Sequence, residues 1–137
     1  MRSKSRPRYF DAAKFKALYR YVVRAAMDKR CVPYIELQDV FAISRAQIGY
    51  YAGQIGYYCL EDNEPLLNAL IITVTTCAPS HGFDWFAEQR DKDWGALVQE
   101  CWKRFHVATA RKAEAQNFAG VEPSLDTFLR QGNRRTD

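Results

Sequence analysis

Residues 32–61 read VPYIELQDVFAISRAQIGYYAGQIGYYCLE and contain the most informative pattern in the chain. Apolar side chains at helical spacing predict a short helix over Tyr34–Phe41. A tight turn follows, and Ser44 is a good N-cap for a longer helix, Arg45–Glu61. The inner stripe of the longer helix is expected to be Ile48, Tyr51, Ala52, Ile55, Tyr58 and Cys59. Its outer face is expected to carry Gln47, Tyr50, Gln54 and Tyr57.

The segments around this helix pair supply the other predicted elements. Residues 10–30 repeat apolar side chains every three or four positions, as in an amphipathic helix. Residues 67–76 are rich in Ile, Val and Thr and predict a strand, and residues 79–82 predict the turn of a hairpin. A second long amphipathic helix is expected over residues 94–113, and Ser124 is expected to cap a last short helix.

This element order is that of a winged helix-turn-helix, in which a helix pair is followed by a hairpin called the wing. We therefore predict an α+β, mostly α, fold: a winged helix-turn-helix with an added long C-terminal amphipathic helix. The domain is expected to span residues 10–130. A flexible basic arm, residues 1–9, precedes it, and a polar tail, residues 131–137, follows it.

Length and composition exclude several classes of protein. A chain of 137 residues is of single-domain length, and a hydrophobic content of 47% is enough for a core, unlike that of a disordered protein. No apolar stretch approaches the roughly 20 residues that a membrane span needs. The basic N-terminus is not followed by the apolar region of a secretory signal. A cytoplasmic protein, of a size that suits bacterial or phage regulation or defence, is expected.

The net charge of +4 is distributed unevenly along the chain. Residues 1–30 carry ten Lys and Arg against two Asp, whereas residues 61–93 carry seven acids against two basic residues. A basic arm on a basic protein indicates a polyanion as the partner. The alternative is that the arm only makes the protein soluble.

No metal or cofactor site is expected from the cysteines and histidines. The four cysteines are widely spaced, and Cys59, Cys77 and Cys101 lie within apolar patterns. This predicts small buried side chains in a reducing compartment. A zinc site needs clustered ligands, and the chain offers only His81 and His106 in addition to its cysteines.

Catalytic motifs are also missing from the sequence. No nucleophile-elbow, Walker or zinc-protease motif occurs. Asp84 and Glu88 have i, i+4 spacing but no histidine or basic companion at matching spacing. The sequence therefore favours a non-catalytic protein. A small toxin-like nuclease or hydrolase with scattered catalytic residues is the third alternative.

A family resemblance supports the winged-helix prediction. The residues that carry it are Val32, Tyr34, Glu36, Leu37, Arg45, Ala46, Ile48, Gly49, Pro65, Leu70 and Ile71. They resemble the DNA-binding half of the alkylguanine-DNA alkyltransferase and alkyltransferase-like family. That half has a short V-x-Y-x-E-L helix, an A-R-A-V-G recognition helix, a proline-led strand and a glycine-containing wing. The methyl-accepting Pro-Cys-His-Arg motif of the family is replaced here by Pro65-Leu66-Leu67-Asn68. The resemblance thus implies a fold and a mode of nucleic-acid contact, without alkyl transfer.

The predicted function is non-catalytic binding of nucleic acid, most favourably DNA. Base edges are read by Arg, Asn, Gln and Ser near the start of a recognition helix, and tyrosines contact phosphates or stack on bases. The arm and first helix would supply the charge that a duplex requires. The candidate residues are Arg6, Arg8, Lys14, Lys16, Ser44, Arg45, Gln47, Tyr50, Gln54 and Tyr57.

Binding to a protein partner is the alternative to nucleic acid. The longer helix of the pair carries one cation, and the predicted wing region is acidic through Glu64, Asp84 and Glu88. An inhibitor, antitoxin or complex subunit would use Tyr50, Tyr57 and the glycine-lined face of that helix, and a homodimer is compatible with such use. Gly49 and Gly53 lie on one side, one turn apart, and predict close packing against another backbone, in the core or across an interface.

Overall fold

A computed structural model describes residues 6–106 and 122–134. The chain is mostly helical, with a small two-stranded sheet. Its helices are α1 (Ala12–Met27), α2 (Tyr34–Phe41), α3 (Arg45–Glu61), α4 (Asp84–Arg90), α5 (Trp94–Phe105) and α6 (Glu122–Arg134). Its strands are β1 (Val32–Pro33) and β2 (Ile71–Ile72), and two 3₁₀ turns cover Leu67–Leu70 and His81–Phe83.

Helix α1 forms where the apolar periodicity predicts it. The Asp11 carboxylate accepts hydrogen bonds from the backbone N–H groups of Ala13 (2.8 Å) and Lys14 (3.4 Å) and caps the helix. The buried stripe consists of Phe15, Leu18, Tyr19, Val22, Val23, Ala25, Ala26 and Met27. This stripe packs on α3, α5 and the 3₁₀ turn before β2, and it places α1 at the centre of the core.

The predicted bounds of α2 and α3 are confirmed. Helix α2 ends at Phe41, and the left-handed backbone of its C-cap, Ala42 (φ 54°, ψ 44°), turns the chain sharply. The Ser44 hydroxyl then accepts a hydrogen bond from the Gln47 N–H at 3.2 Å and begins α3. The inner stripe of α3 is buried as expected. The two helices form at these bounds because the Ser44 cap, the turn at Ala42 and the apolar periodicity all mark the same boundaries.

The predicted strand over residues 67–76 is wrong for most of its length. Leu67–Leu70 form a 3₁₀ turn in which all four side chains are buried against α1, α3 and α5. A short apolar run buried on all sides has no period that separates a strand from a helical turn. Only Ile71–Ile72 are extended, and β2 pairs in parallel with β1, Val32 opposite Ile71.

The hairpin turn also lies earlier than residues 79–82. Thr73 and Ala78 form a single antiparallel bridge, in which the Thr73 N–H donates to the Ala78 carbonyl at 3.0 Å. Cys77, with φ at 51°, supplies the left-handed residue that this tight turn needs. Residues 81–83 instead form the 3₁₀ turn that leads into α4. Among the described residues, the predicted wing therefore has only two extended parts, β2 and the bridge between Thr73 and Ala78.

The two C-terminal helices differ from the prediction at their ends. Helix α5 begins at Trp94 after the N-cap Asp93, as expected, but ends at Phe105 because His106 is extended. The rest of the predicted helix, residues 107–113, lies outside the described residues. Helix α6 begins at Glu122, so Ser124 lies within it instead of capping it. Its predicted apolar residues Leu125, Phe128 and Leu129 are buried.

The four cysteines differ in how deeply they are buried. Cys59 and Cys101 are buried, and burial raises the pKa of the Cys59 thiol to about 12 and also raises that of Cys101. Cys31 is half-buried. The prediction of a buried Cys77 is wrong, since this residue occupies the exposed turn between Thr73 and Ala78.

N-ethylmaleimide is expected to modify Cys77 first in the native protein. Cys59 should react only after unfolding, because the thiolate is the reactive form and burial disfavours it. Mass spectrometry of the adducts, with and without denaturant at mildly alkaline pH, measures the order of reaction. A Cys77→Ser variant is the control and should lose the fast phase. Equal rates for Cys59 and Cys77 in the native protein would contradict the burial described here.

Candidate functional site

The first turn of α3 presents polar groups to the surface. Ser44 and Arg45 are exposed and Gln47 is half-buried. The Arg45 guanidinium carbon lies 4.6 Å from the centre of the Tyr34 ring, a cation–π contact that holds the side chain beside α2. The free N–H groups and the dipole of a helix N-terminus favour an anion at this end. This turn is the best-placed surface for a phosphate among the described residues of α3.

The N-terminal arm is anchored against the middle of α3. The ring centres of Tyr9 and Phe10 lie 5.9 Å and 5.8 Å from that of Tyr50, and Phe10 also stacks on Tyr51 at 5.2 Å. The Tyr51 hydroxyl donates to the Tyr9 carbonyl (3.2 Å) and accepts from the Asp11 N–H (2.8 Å). The described end of the arm therefore lies along α3, and Arg8, which precedes Tyr9, is exposed.

Arg6, one of the basic candidates, has partners within the fold. Arg6 Nη1 donates to the Leu129 carbonyl at 2.7 Å and Arg6 Nε to Gln54 Oε1 at 3.4 Å. The same guanidinium lies 4.9 Å from the Phe10 ring centre and 5.4 Å from that of Phe128. Arg6 thus joins the arm to α3 and α6. The sequence, in contrast, predicted that Arg6 belongs to a flexible arm.

Lys16 and Lys14 differ in how much charge they leave for a ligand. Lys16 Nζ lies 2.5 Å from a carboxylate oxygen of Asp126 on α6, and this ion pair offsets its charge. Lys14 is half-buried on the first turns of α1, and no ion pair of Lys14 occurs among the residues that the structure describes. Of the two, Lys14 is better suited to attract a polyanion.

The predicted outer face of α3 is partly covered. Gln54 is 3% exposed, so its expected position on that face is wrong. Tyr57 is half-buried and packs on Trp85 (5.7 Å) and Phe86 (5.2 Å), while Tyr50 is covered by the arm. The arm and α4 cover a side that the helical period alone leaves open.

Tyr50, Gln54 and Tyr57 instead line a cleft along α3, which we call the α3 cleft. Its volume is about 470 Å³. It is enclosed by α2, α3, the chain around β2 and the segment 79–86, through Tyr34, Gly49, Tyr50, Ala52, Gly53, Gln54, Tyr57, Asn68, Ile71, Pro79, Ser80, Gly82, Phe83 and Phe86. None of these lining side chains carries a charge. The Tyr34 hydroxyl lies 3.3 Å from the Ser80 hydroxyl across it.

The glycines of α3 serve two different purposes. Among the residues that the structure describes, a Cβ atom built on Gly49 or Gly53 would meet no heavy atom within 4 Å, so the predicted close packing is wrong there for both. Both line the α3 cleft. At Gly56 a Cβ would lie 2.5 Å from Asn68 Nδ2 and 2.5 Å from Phe86 Cε1, so close packing applies there.

The acidic residues Glu64, Asp84 and Glu88 and the two histidines do not line the cleft. Glu64 pairs with Arg104 at 3.4 Å, and Asp84 and His81 are exposed, 3.7 Å apart. Within residues 6–106 and 122–134, no group of three or more His, Cys, Asp or Glu side chains could hold a metal ion. None of the helices described is long and apolar enough to cross a membrane.

No family model, curated protein or solved structure matches this chain. The family resemblance of residues 32–83 remains a prediction from the sequence. The function is accordingly argued from the first turn of α3, the anchored arm and the α3 cleft.

Proposed function

We propose that this protein binds DNA without catalysis, through the first turn of α3 and the basic arm beside it. The observation that carries the proposal is the anchoring of the arm on α3 by Tyr9 and Phe10. Tyr9 and Arg6 contact α3 at Tyr50 and Gln54, so the described part of the arm lies along the helix whose first turn carries Ser44 and Arg45. In this proposal the helix makes the groove contact, and the arm held along it contacts phosphates.

The charges on this surface support a polyanion ligand. Arg8 and Arg45 are exposed, and Lys14 lies on the first turns of α1 after the arm. Each phosphate contact releases counterions from the duplex, which makes such binding strongly dependent on salt. In contrast, Arg6 and Lys16 are proposed to act through the fold, since α6 holds both.

The winged helix-turn-helix is part of the same proposal. Helices α2 and α3 would form the helix pair, and the bridged turn between Thr73 and Ala78 would serve as a short wing. Support comes from the element order and from the resemblance of residues 32–83 to alkyltransferase-like DNA-binding domains. Ser44 and Gln47 would face base edges, and Arg45 a base or a phosphate.

Arg45→Ala is expected to weaken binding to a fluorescent DNA duplex several-fold. It should also lower the slope of log affinity against log salt by about 0.9, the contribution of one phosphate contact. Fluorescence anisotropy over a series of salt concentrations measures both quantities. Lys103→Ala removes an exposed charge from α5 and is the matched control, expected to leave the slope unchanged. The same slope for both variants would contradict the proposed surface.

Removal of residues 1–5 tests the arm without touching Arg6. This truncation deletes Arg2 and Lys4 but keeps the contacts that hold α6. Weaker binding at low salt supports the proposal, and unchanged binding assigns residues 1–5 to solubility alone. If the full chain binds neither duplex nor single-stranded DNA at low salt, the proposal fails. The protein-partner alternative then gains, as Ile35 and Val40 on α2 are 52% and 51% exposed.

A further inference from the structure

The α3 cleft contains a buried polar group that nothing in the described residues satisfies. Asn68 is 5% exposed, and its Oδ1 atom is buried without a hydrogen-bond partner among those residues. Unpaired buried acceptors are rare because they lose their hydrogen bonds to water and gain none in return. Asn68 lines the cleft, and the terminal torsion of an asparagine is broad, so its carboxamide can rotate to present this acceptor to a ligand there.

The walls of the cleft are aromatic and uncharged. Tyr34, Tyr57, Phe83 and Phe86 contribute rings, and every lining side chain is neutral. Aromatic walls suit a flat ligand, since rings stack face to face or edge to face. A charged ligand would lose its hydration in this cleft without gaining a counter-charge. The lining therefore selects a neutral, planar molecule.

The space in the cleft is maintained by two helix-interior glycines. Glycine disfavours the interior of a helix, and no close contact at Gly49 or Gly53 requires it. The absence of two side chains keeps the floor of the cleft open. Its volume of about 470 Å³ is within the range of small-molecule sites, roughly 300–1,000 Å³.

We infer that the α3 cleft binds a small, neutral, planar lactam-type heterocycle whose ring N–H donates a hydrogen bond to the Asn68 carboxamide. The aromatic rings sandwich the ligand, and the glycine floor admits it. This inference does not depend on the proposed function, because it requires no nucleic acid, although the cleft begins at Tyr34, which Arg45 contacts. If both hold, the protein carries a small-molecule site next to its DNA-binding surface.

The test uses 2-quinolinone, a flat bicyclic lactam, and 1-methyl-2-quinolinone, which has the same rings but no N–H donor. Titration of the full chain, followed by backbone amide NMR, is expected to shift the signals of Gly49 and Gly53 with 2-quinolinone. The methylated compound should bind at least about tenfold more weakly, which corresponds to about 1.4 kcal/mol. Equal affinity for the two compounds, or no shift with either, would overturn the inference.

Two variants locate the site. Gly53→Leu fills the floor, and it is expected to keep the fold, because a Cβ at this position meets no atom, and to lose binding. Asn68→Leu is expected to keep the rings but lose the preference for the N–H compound. Unchanged 2-quinolinone affinity in Gly53→Leu would place the ligand elsewhere and refute the inference. If Gly53→Leu does not fold, Asn68→Leu and the two compounds still decide the result.

Discussion

Replacement of Gly56 by alanine is expected to destabilise the fold by about 1–3 kcal/mol, the usual cost of overpacking. The new Cβ would lie 2.5 Å from Asn68 Nδ2 and from Phe86 Cε1, and 2.8 Å from Phe86 Cζ. Real Cβ atoms do not approach other heavy atoms so closely, so Phe86 and Asn68 would have to shift. Both belong to the packing between α3, the turn before β2 and α4.

The same helix provides a control of opposite sign. Gly53→Ala introduces the same methyl group into open space and should stabilise the fold by up to about 1 kcal/mol, through helix propensity alone. Urea unfolding followed by circular dichroism gives both free energies of unfolding. If Gly56→Ala and Gly53→Ala changed stability in the same direction, α4 would not pack on α3 as described.

Arg6→Ala is expected to cost about 2 kcal/mol of unfolding free energy, a large effect for a residue near the N-terminus. The change removes a charge-assisted hydrogen bond to the Leu129 carbonyl, which is worth about 1.5–3 kcal/mol. It also removes the contacts of the guanidinium with the rings of Phe10 and Phe128. Helix α6 should lose stability most, because Leu129 and Phe128 are both on it.

Two substitutions separate this role from a simple loss of charge. Arg8→Ala removes an exposed cation two residues away and should change stability by less than about 0.5 kcal/mol. Arg6→Lys keeps the charge but lacks the planar fork that bonds and stacks at once, so it should recover only part of the loss. Thermal and urea unfolding measure both effects, and hydrogen exchange reports on α6. Equal stability of Arg6→Ala and Arg8→Ala would show that Arg6 does not hold the arm to α6.

The elements predicted well are those whose signals are local. Asp11 and Ser44 cap their helices within three residues, and the stripes of α1 and α3 repeat at the helical period, so these helices follow from neighbouring residues. Leu67–Leu70 were mispredicted because burial on all sides removes the period of a strand. Cys77 was predicted to be buried. It is exposed because Thr73 pairs with Ala78, so that the tight turn includes Cys77.

The candidate site is harder to predict, since it is made by contacts between distant segments. Gln54 is buried partly because Arg6, 48 positions away, reaches its side chain. The helical period predicted that Gln54 lies on the outer face of α3. No signal in the neighbouring residues shows that α4 and the arm cover that face. Asn68 belongs to a buried turn that sequence patterns present as a strand. The glycine pair was the one visible sign of the cleft, and only the atoms around it reveal that the space is open.

The hydrogen bond between Arg6 and the Leu129 carbonyl has a consequence for the order in which the chain folds. The two residues are 123 positions apart, so a ribosome synthesises the arm long before its partner helix exists. Helices α1 to α3 can collapse early through contacts between nearby segments, which form fast. The contact between Arg6 and α6 is then expected to form late, because it closes a loop of 123 positions. Proteins whose ends meet in this way commonly tolerate circular permutation.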